Sequence, residues 1–189
     1  MVNFYIALLH YPVYNKHREV VTTSVANLDV HDIARAARTY GLKRFYIVTP
    51  IVAQQHLVGQ ILQHWQQGYG AGYNPSRGEA FGIADIKGTL AEVVADIAGE
   101  VNNLRLVATG ANLTGKLFSY RELRSKFRED DNSYLLMFGT GWGLAQELLE
   151  KADYLLESIK GTADYNHLSV RSAVSVVLDR LWGREENNQ

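Results

Sequence analysis

Two segments of the chain combine residue types that can hold a small polar ligand. The first is a glycine turn, Phe138 to Leu144, which places glycines at positions 139, 141 and 143 directly after an apolar run and before a predicted helix. Glycines at a strand-to-helix turn let backbone amides approach a ligand, and the helix N-terminus adds a positive dipole end. The turn therefore predicts a cofactor loop, although a tight structural turn explains the same residues.

The second segment, Ser158 to Ser169, is polar and lies between a predicted strand and the last predicted helix. Buried polar backbone needs hydrogen-bond partners, which a bound ligand can supply. Within it, His167 is a candidate base near neutral pH or a structural histidine. Ser169 is a candidate functional hydroxyl or simply the cap of the last helix.

The spacing of the glycine turn does not fit a dinucleotide fingerprint, because Gly143 comes one position too early after Gly141. A nucleotide-binding or NAD-binding α/β protein therefore remains an alternative that rests on the glycines alone. The six histidines show no metal-ligand spacing, and the absence of cysteine excludes thiolate zinc sites and disulfides. We expect no metal site.

Short apolar runs alternate with helical patterns along the whole chain, which predicts an α/β fold with a mostly parallel six-stranded sheet and helices on both faces. The predicted strands are Phe4 to Leu9, Arg44 to Val48, Phe81 to Ile86, Leu104 to Ala108, Tyr134 to Phe138 and Tyr154 to Glu157.

Helical spacing predicts helices after a capping Asp29 and up to Gly41, and in four later segments. These are Val52 to Trp65, Leu90 to Ala98, Tyr120 to Phe127 and an amphipathic last helix from Val170 to Leu181. Val176 and Trp182 widen the apolar face of the last helix, so it packs either within a monomer or also on a partner subunit. Two segments, Tyr11 to Leu28 and Gln66 to Ala80, are predicted to be irregular.

The 189 residues, 47% of them hydrophobic, suit one domain over residues 1–183 followed by a disordered tail at 184–189. With no cysteine and no apolar run near the ~20 residues that cross a bilayer, we expect a cytoplasmic protein without membrane contact. With 19 basic and 20 acidic residues, any RNA must bind to a local basic patch. Candidates are Lys16, Arg18, Arg77, Arg121, Arg124, Lys126 and Arg128.

Three stretches of sequence carry a family resemblance. The glycine turn, followed by Tyr165 to Val174, resembles the last two motifs of the SPOUT methyltransferases, and within them the small bacterial RNA methyltransferases. The stretch from Asn27 to Arg35, ahead of Gly41, is similar to their first motif, in which an asparagine precedes a helix that carries an arginine. The resemblance covers nearly the whole chain.

The resemblance implies a C-terminal trefoil knot, a homodimer with its active site at the subunit interface, and S-adenosylmethionine as the cofactor of tRNA or rRNA methylation. The implied cofactor-binding residues come from three loops and are Ala108, Thr109, Gly110, Phe138, Gly139, Thr140, Gly141, Trp142, Gly143, Ser158, Ile159, Gly161, Asn166, His167, Leu168 and Ser169. The implied catalytic residues are Asn27, Arg35, Asn166 and Ser169.

The chain also departs from the family pattern. Gly141 and Trp142 stand in the region where many relatives carry a glutamate, so no role of that carboxylate is transferred. The tRNA guanine-methylating branch has a different terminal motif, so its substrate is not transferred either. Arg35 is then either an RNA contact made from the partner subunit or a solvated charge, and Asn27 either a functional amide or a helix cap. A knotted module that binds RNA without catalysis is the remaining alternative.

Overall fold

Short apolar strands form the centre of the fold in this computed structural model, which describes residues 2–163 and 165–183. In chain order the strands are β1 (Phe4–Leu9), β2 (Val13–Tyr14), β3 (Val20–Val21), β4 (Arg44–Val48), β5 (Ala84–Lys87), β6 (Leu104–Ala108), β7 (Leu117–Phe118), β8 (Ser133–Gly139) and β9 (Tyr154–Leu156). β2 and β3 form a small antiparallel hairpin. The other seven pair in parallel, in the order β5-β4-β1-β8-β6-β9-β7.

Helices cover both faces of this sheet, as the sequence predicts. They are α1 (Asn27–Thr39), α2 (Val52–Gln66), α3 (Tyr69–Tyr73), α4 (Pro75–Phe81), α5 (Leu90–Ala98), α6 (Tyr120–Glu129), α7 (Gln146–Leu149) and α8 (Val170–Trp182). Alternate side chains of a strand point to opposite faces. Ile6 and Leu8 of β1 pack with α1, α2, α4, α6 and α8, whereas Tyr5, Ala7 and Leu9 pack with α5 and α7.

The α/β class and the mostly parallel sheet are confirmed, and the sheet gains a seventh strand, β7, which is only two residues long. The prediction of a strand from Phe81 to Ile86 is wrong at its start. Phe81 is the buried last residue of α4, and β5 begins at Ala84. The predicted irregular segment Gln66 to Ala80 is also wrong, because it contains α3 and most of α4.

Local capping explains why this glycine-rich segment is helical. Asn74 caps α4: its side-chain oxygen accepts a hydrogen bond from the Arg77 N–H at 3.1 Å. Pro75 occupies the first helical position, where its missing N–H costs nothing. In the other predicted irregular segment, Tyr11 to Leu28, the structure places the hairpin of β2 and β3.

Asp29 is not the cap of α1, which begins at Asn27 after Ala26. Asp29 is instead buried, and its carboxylate accepts a hydrogen bond from Arg171 Nη1 at 3.1 Å. The pair joins the start of α1 to the start of α8. Similarly, the helix predicted to begin near Leu144, at the end of the glycine turn, begins at Gln146.

The predicted tail at 184–189 lies outside the described residues, and the knot stays a prediction. No helix within residues 2–163 and 165–183 has the length and apolar character needed to cross a bilayer.

An aromatic cluster fixes the end of α8 against the sheet. The Trp182 ring stacks on Phe127 of α6 at 5.2 Å between centroids and meets Phe4 of β1 edge to face at 4.6 Å. Trp182, which was a candidate for contact with a partner subunit, therefore packs inside its own chain. Aromatic pairs of this kind stabilise beyond the area they bury.

We expect Trp182→Ala to lower the free energy of unfolding by about 2–3 kcal/mol, because it removes both ring contacts and leaves a void. Urea denaturation measures the change. Trp142→Ala is the matched control, since the Trp142 side chain is 62% exposed, and it should change stability by less than about 0.5 kcal/mol. Equal losses in the two variants would contradict the role of the cluster.

Candidate functional site

Three loops leave the sheet at the same edge. Because β8, β6 and β9 are parallel neighbours, their carboxyl ends lie side by side, with β6 in the middle. The loop after β6 begins at Thr109, the glycine turn follows β8, and the segment 157–169 follows β9. The topology therefore brings together the three groups of residues that the resemblance implies.

Side-chain hydrogen bonds tie these loops to each other. Asn166 Nδ2 donates to the Ala111 carbonyl at 3.3 Å and joins the β9 loop to the β6 loop. Thr109 is buried, and its Oγ1 donates to the Met137 carbonyl of β8 at 2.9 Å. Asn166 and Thr109 thus hold the loops in register.

Packing within the chain explains two of the three glycines in the turn. Gly141 has φ +60°, and a Cβ there would lie 2.7 Å from the Tyr14 carbonyl oxygen. A Cβ on Gly139 would lie 2.7 Å from the Leu144 amide nitrogen. By contrast, Gly143 has φ +100° and open space on that side of its backbone. The turn is both a tight structural turn and, at Gly143, accessible.

A buried histidine fixes the same turn. His10, the residue after β1, is fully buried, and its Nδ1 lies 3.0 Å from Thr23 Oγ1. Thr23 Oγ1 lies 2.5 Å from Thr140 Oγ1, which donates to the Leu9 carbonyl at 3.2 Å. Each hydroxyl has one proton to donate. Because Thr140 donates to Leu9, Thr23 donates to Thr140 at 2.5 Å in preference to the His10 carbonyl at 3.5 Å, and His10 then donates from Nδ1 to Thr23.

This chain of hydrogen bonds leaves His10 Nε2 as an unprotonated acceptor. Nε2 is buried and has no hydrogen-bond partner among the described residues. Burial lowers the pKa of His10 to about 4, because a charged ring would be desolvated. His10 is thus neutral at physiological pH and acts as a positioning residue for Thr140 and the glycine turn.

The first and last motifs meet through their helix starts. Besides its bond to Asp29, Arg171 places Nε 3.6 Å from Asp32, so both carboxylates of α1 face the start of α8. Asn27 is exposed at the first position of α1. Ser169 caps α8, as its alternative interpretation predicts, and its Oγ accepts from the Ser172 N–H at 3.4 Å.

The structure separates some of the implied site residues from the edge. Arg35 is exposed two turns into α1, and among the described residues it makes no hydrogen bond or ion pair with the three loops. Ala108 and Phe138 are core residues that can offer only backbone atoms. Trp142, His167 and Leu168 are exposed, and the His167 ring contacts only Tyr165, at 5.6 Å, among the described residues.

The β9 loop offers the donor set that a polar cofactor needs. No backbone N–H from Ser158 to Gly161 donates a hydrogen bond within the described part of the chain. Ser158 and Ile159 are half-buried, and a Cβ on Gly161 would meet open space. Unpaired backbone donors beside open space fit a ligand with ring nitrogens and hydroxyl groups, such as S-adenosylmethionine.

Two open depressions, of about 360 and 370 Å³, lie elsewhere, along α2. Asn27, at the start of α1, lines one of these depressions. Among the described residues, no group of three or more His, Asp or Glu side chains is placed to hold a metal ion.

Sequence reasoning did not find His10 or Thr23. The sequence signal that could have identified His10 is its position directly after the apolar run of β1. A residue there lies at the edge of a parallel sheet from which the loops leave the strands. Thr23 carried no signal, because only the fold brings it to Thr140, 117 residues away.

The pKa of His10 predicts loss of stability in mild acid. The folded-state pKa is lowered, so the unfolded chain binds the proton more tightly and stability falls as pH drops from 6.5 toward 4. Between pH 7.5 and 5.0 the loss from His10 is about 2 kcal/mol. In His10→Gln, whose amide can still donate to Thr23, the fall should be smaller by that amount. Urea denaturation at both pH values measures it, and an unchanged fall contradicts the assignment.

Comparison with known proteins identifies the family. Residues 3–183 match the family model described as SAM-dependent RNA methyltransferase. An uncharacterised protein of Aquifex aeolicus is 41% identical over 96% of this chain and 89% of its own length. A tRNA (guanine-N(1)-)-methyltransferase of Oleidesulfovibrio alaskensis is also 41% identical, but the chain spans only 42% of that protein.

Among solved structures, a methylase family protein of Neisseria gonorrhoeae shares the fold, with a TM-score of 0.64 and 22% identity over 100% of this chain and 84% of that one. The family match spans all three loops at the sheet edge and both helices that meet there. The chain belongs to the family of S-adenosylmethionine-dependent RNA methyltransferases.

Proposed function

We propose that this protein methylates a nucleotide of RNA at the edge where β6, β8 and β9 end. The observation that carries the proposal is the set of backbone N–H groups from Ser158 to Gly161, which have no partner among the described residues and lie beside the β6 loop, one strand away from the glycine turn. Membership of the family indicates the methyl-transfer reaction, and these loops indicate where in the structure it would take place.

The residues divide into those that would hold the cofactor and those that would hold the loops. Backbone groups of Ser158, Ile159 and Gly161 would bind S-adenosylmethionine, which supplies an electrophilic methyl group on a sulfonium when bound. The N–H and carbonyl of Gly143 already have partners in the chain, so Gly143 would offer the cofactor open space only. Asn166 and Thr109 hold the loops together, and His10 holds the glycine turn through Thr23 and Thr140. Their contribution is alignment of the reacting groups.

We propose that the C-terminal part of the chain forms a trefoil knot, and the order of the edge strands supports this. Because β9 lies between β6 and β7, the connection from β6 to β7, residues 109–116, passes from one side of β9 to the other. The segment after β9 meets that connection at Asn166 and Ala111 before it enters α8. A crossing of this kind supports a knot in which the terminal helix is threaded through a loop.

Exposed apolar side chains at the same edge support a homodimer. They follow strand ends or begin helices there and comprise Leu28, Ile51, Val52, Trp142 and Leu168, each 39–62% exposed. Apolar groups gathered in this way commonly mark a contact surface. A second copy that covers them would complete the site with Asn27 and Arg35, and we expect the dimer to work in the cytoplasm.

The RNA is proposed to be tRNA or rRNA. Because the Oleidesulfovibrio alaskensis relative is named as a tRNA methyltransferase, tRNA is the first substrate to test. A near-neutral net charge of −1 means that the RNA must bind to local cationic and aromatic groups.

Incubation with labelled S-adenosylmethionine and bacterial tRNA or rRNA tests the activity. We expect saturable cofactor binding near one site per subunit by calorimetry, and label in one RNA class. Absence of cofactor binding would contradict the proposal, and repeated binding without label would favour the non-catalytic module.

Asn166→Ala should weaken cofactor binding by about tenfold, because one hydrogen bond between the loops is lost. The matched control is Asn102→Ala, at an exposed position beyond α5. Calorimetry measures both dissociation constants. The role of Asn166 would be wrong if both variants bound as the unmodified protein does.

A further inference from the structure

We infer that the surface formed by α1, α2 and α3 binds unpaired RNA bases, through a groove between α1 and α2 and a stacked tyrosine pair at its end. This inference rests on the proposed function, since it assigns the binding surface for the RNA. The surface is separate from the three cofactor loops, and Asn27 alone of the implied site residues lines it.

The direction of the groove connects it to the reactive edge. α1 and α2 follow parallel strands, so both helices start at the carboxyl edge of the sheet and run back along it. Asn27 lines the groove near that edge, and His64 and Trp65 line it at the far end of α2. α2 has 15 residues, which span roughly 22 Å, so the groove has room for several nucleotides.

The far end of the groove carries two aromatic rings that no core contact explains. Tyr69 and Tyr73 are 79% and 75% exposed, yet their rings stack on each other, 5.9 Å between centroids and 22° between planes. Exposed parallel rings offer the flat faces on which successive bases stack, whatever their sequence.

Tight packing beneath the pair fixes the position of the short helix α3 that carries both tyrosines. A Cβ on Gly70 would lie 2.7 Å from the Trp65 ring and 2.8 Å from the His64 ring, so α3 sits directly on the end of α2. The Arg77 guanidinium lies 4.7 Å from the centre of the Trp65 ring on the same surface. The tyrosines therefore belong to a positioned platform.

The charge of this part of the chain suits a polyanion. Residues 33–78 contain no Asp or Glu, although the whole chain has 20. The same stretch contains Arg35 and Arg77. Burial lowers the pKa of His31 in the groove most, Arg77 and Arg35 lower this pKa further, and Asp32, just before the stretch, opposes them. Glutamine amides such as Gln60 and Gln63 line the depressions and can hydrogen-bond to base edges.

Together these features favour single-stranded RNA over a duplex. Stacking on Tyr69 and Tyr73 needs a free base face, which a paired helix hides in its stack. Phosphates would follow Arg35 and Arg77, while splayed bases would enter the groove. Self-association through the same tyrosines is the competing use of the surface.

The test compares Tyr69→Ala/Tyr73→Ala with the matched variant Tyr69→Phe/Tyr73→Phe. The probe is a short fluorescein-labelled RNA of mixed sequence, alone or annealed to its complement, and fluorescence anisotropy gives the dissociation constants. We expect tighter binding of the single strand, a loss of about tenfold or more in the alanine variant, and retention within about twofold in the phenylalanine variant, because the rings remain.

Equal binding by the alanine variant and the unmodified protein would overturn the inference, as would an equal loss in the phenylalanine variant. A lower mass in light scattering for the alanine variant would assign the tyrosines to self-association instead. Calorimetry with S-adenosylmethionine on the same samples separates the two proposals. Tyrosine-dependent RNA binding without cofactor binding would contradict the proposed function but support RNA binding by the tyrosine pair. Cofactor binding without tyrosine-dependent RNA binding would contradict only the role of the tyrosines.

Discussion

Parallel pairing of seven strands is the constraint on which the rest of the structure depends. A parallel sheet sends every strand's carboxyl end to one edge, so loops that are far apart in sequence must gather there. The loops after β6, β8 and β9 are neighbours for that reason alone. Asn166, Thr109 and the hydrogen bonds from His10 then fix loops that the sheet has already brought together.

The buried and half-buried polar side chains at this edge fix the positions of its loops. His10, Thr23 and Thr140 form one directed set of hydrogen bonds that ends on a carbonyl of β1. Such a set is stable only when its members are in fixed protonation states, and the lowered pKa of His10 keeps the ring neutral. The glycine turn thus owes its shape to side chains outside the motif, as well as to its own residues.

The sequence predicted what depends on local pattern. Alternating apolar runs and helical spacing found the α/β class and most elements, and the motif residues lie in loops that the fold brings to one sheet edge, where their role stays a prediction. The prediction was wrong at Phe81. An apolar run at this point is equally compatible with the start of a strand and with the end of a helix that packs on the sheet. The prediction also missed α3 and α4, although Asn74 and Pro75 form a helix-start signal, because four nearby glycines favour a loop.

Long-range relations could not be predicted from spacing. The contact of Thr23 with Thr140, the ion pair of Asp29 with Arg171 and the place of β9 between β6 and β7 each need the order of strands, which no single segment encodes. The stacking of Tyr69 on Tyr73 likewise needs α3, an element that the glycine content concealed.

Hydrogen exchange of backbone amides with and without S-adenosylmethionine tests the central claim most directly. The amides from Ser158 to Gly161 donate no hydrogen bond within the described chain, so we expect the cofactor to slow their exchange, whereas the Gly143 amide already donates to the Thr140 carbonyl at 3.1 Å and should change less. Cofactor-dependent protection confined to the groove between α1 and α2, or absent from the β9 loop, would contradict it.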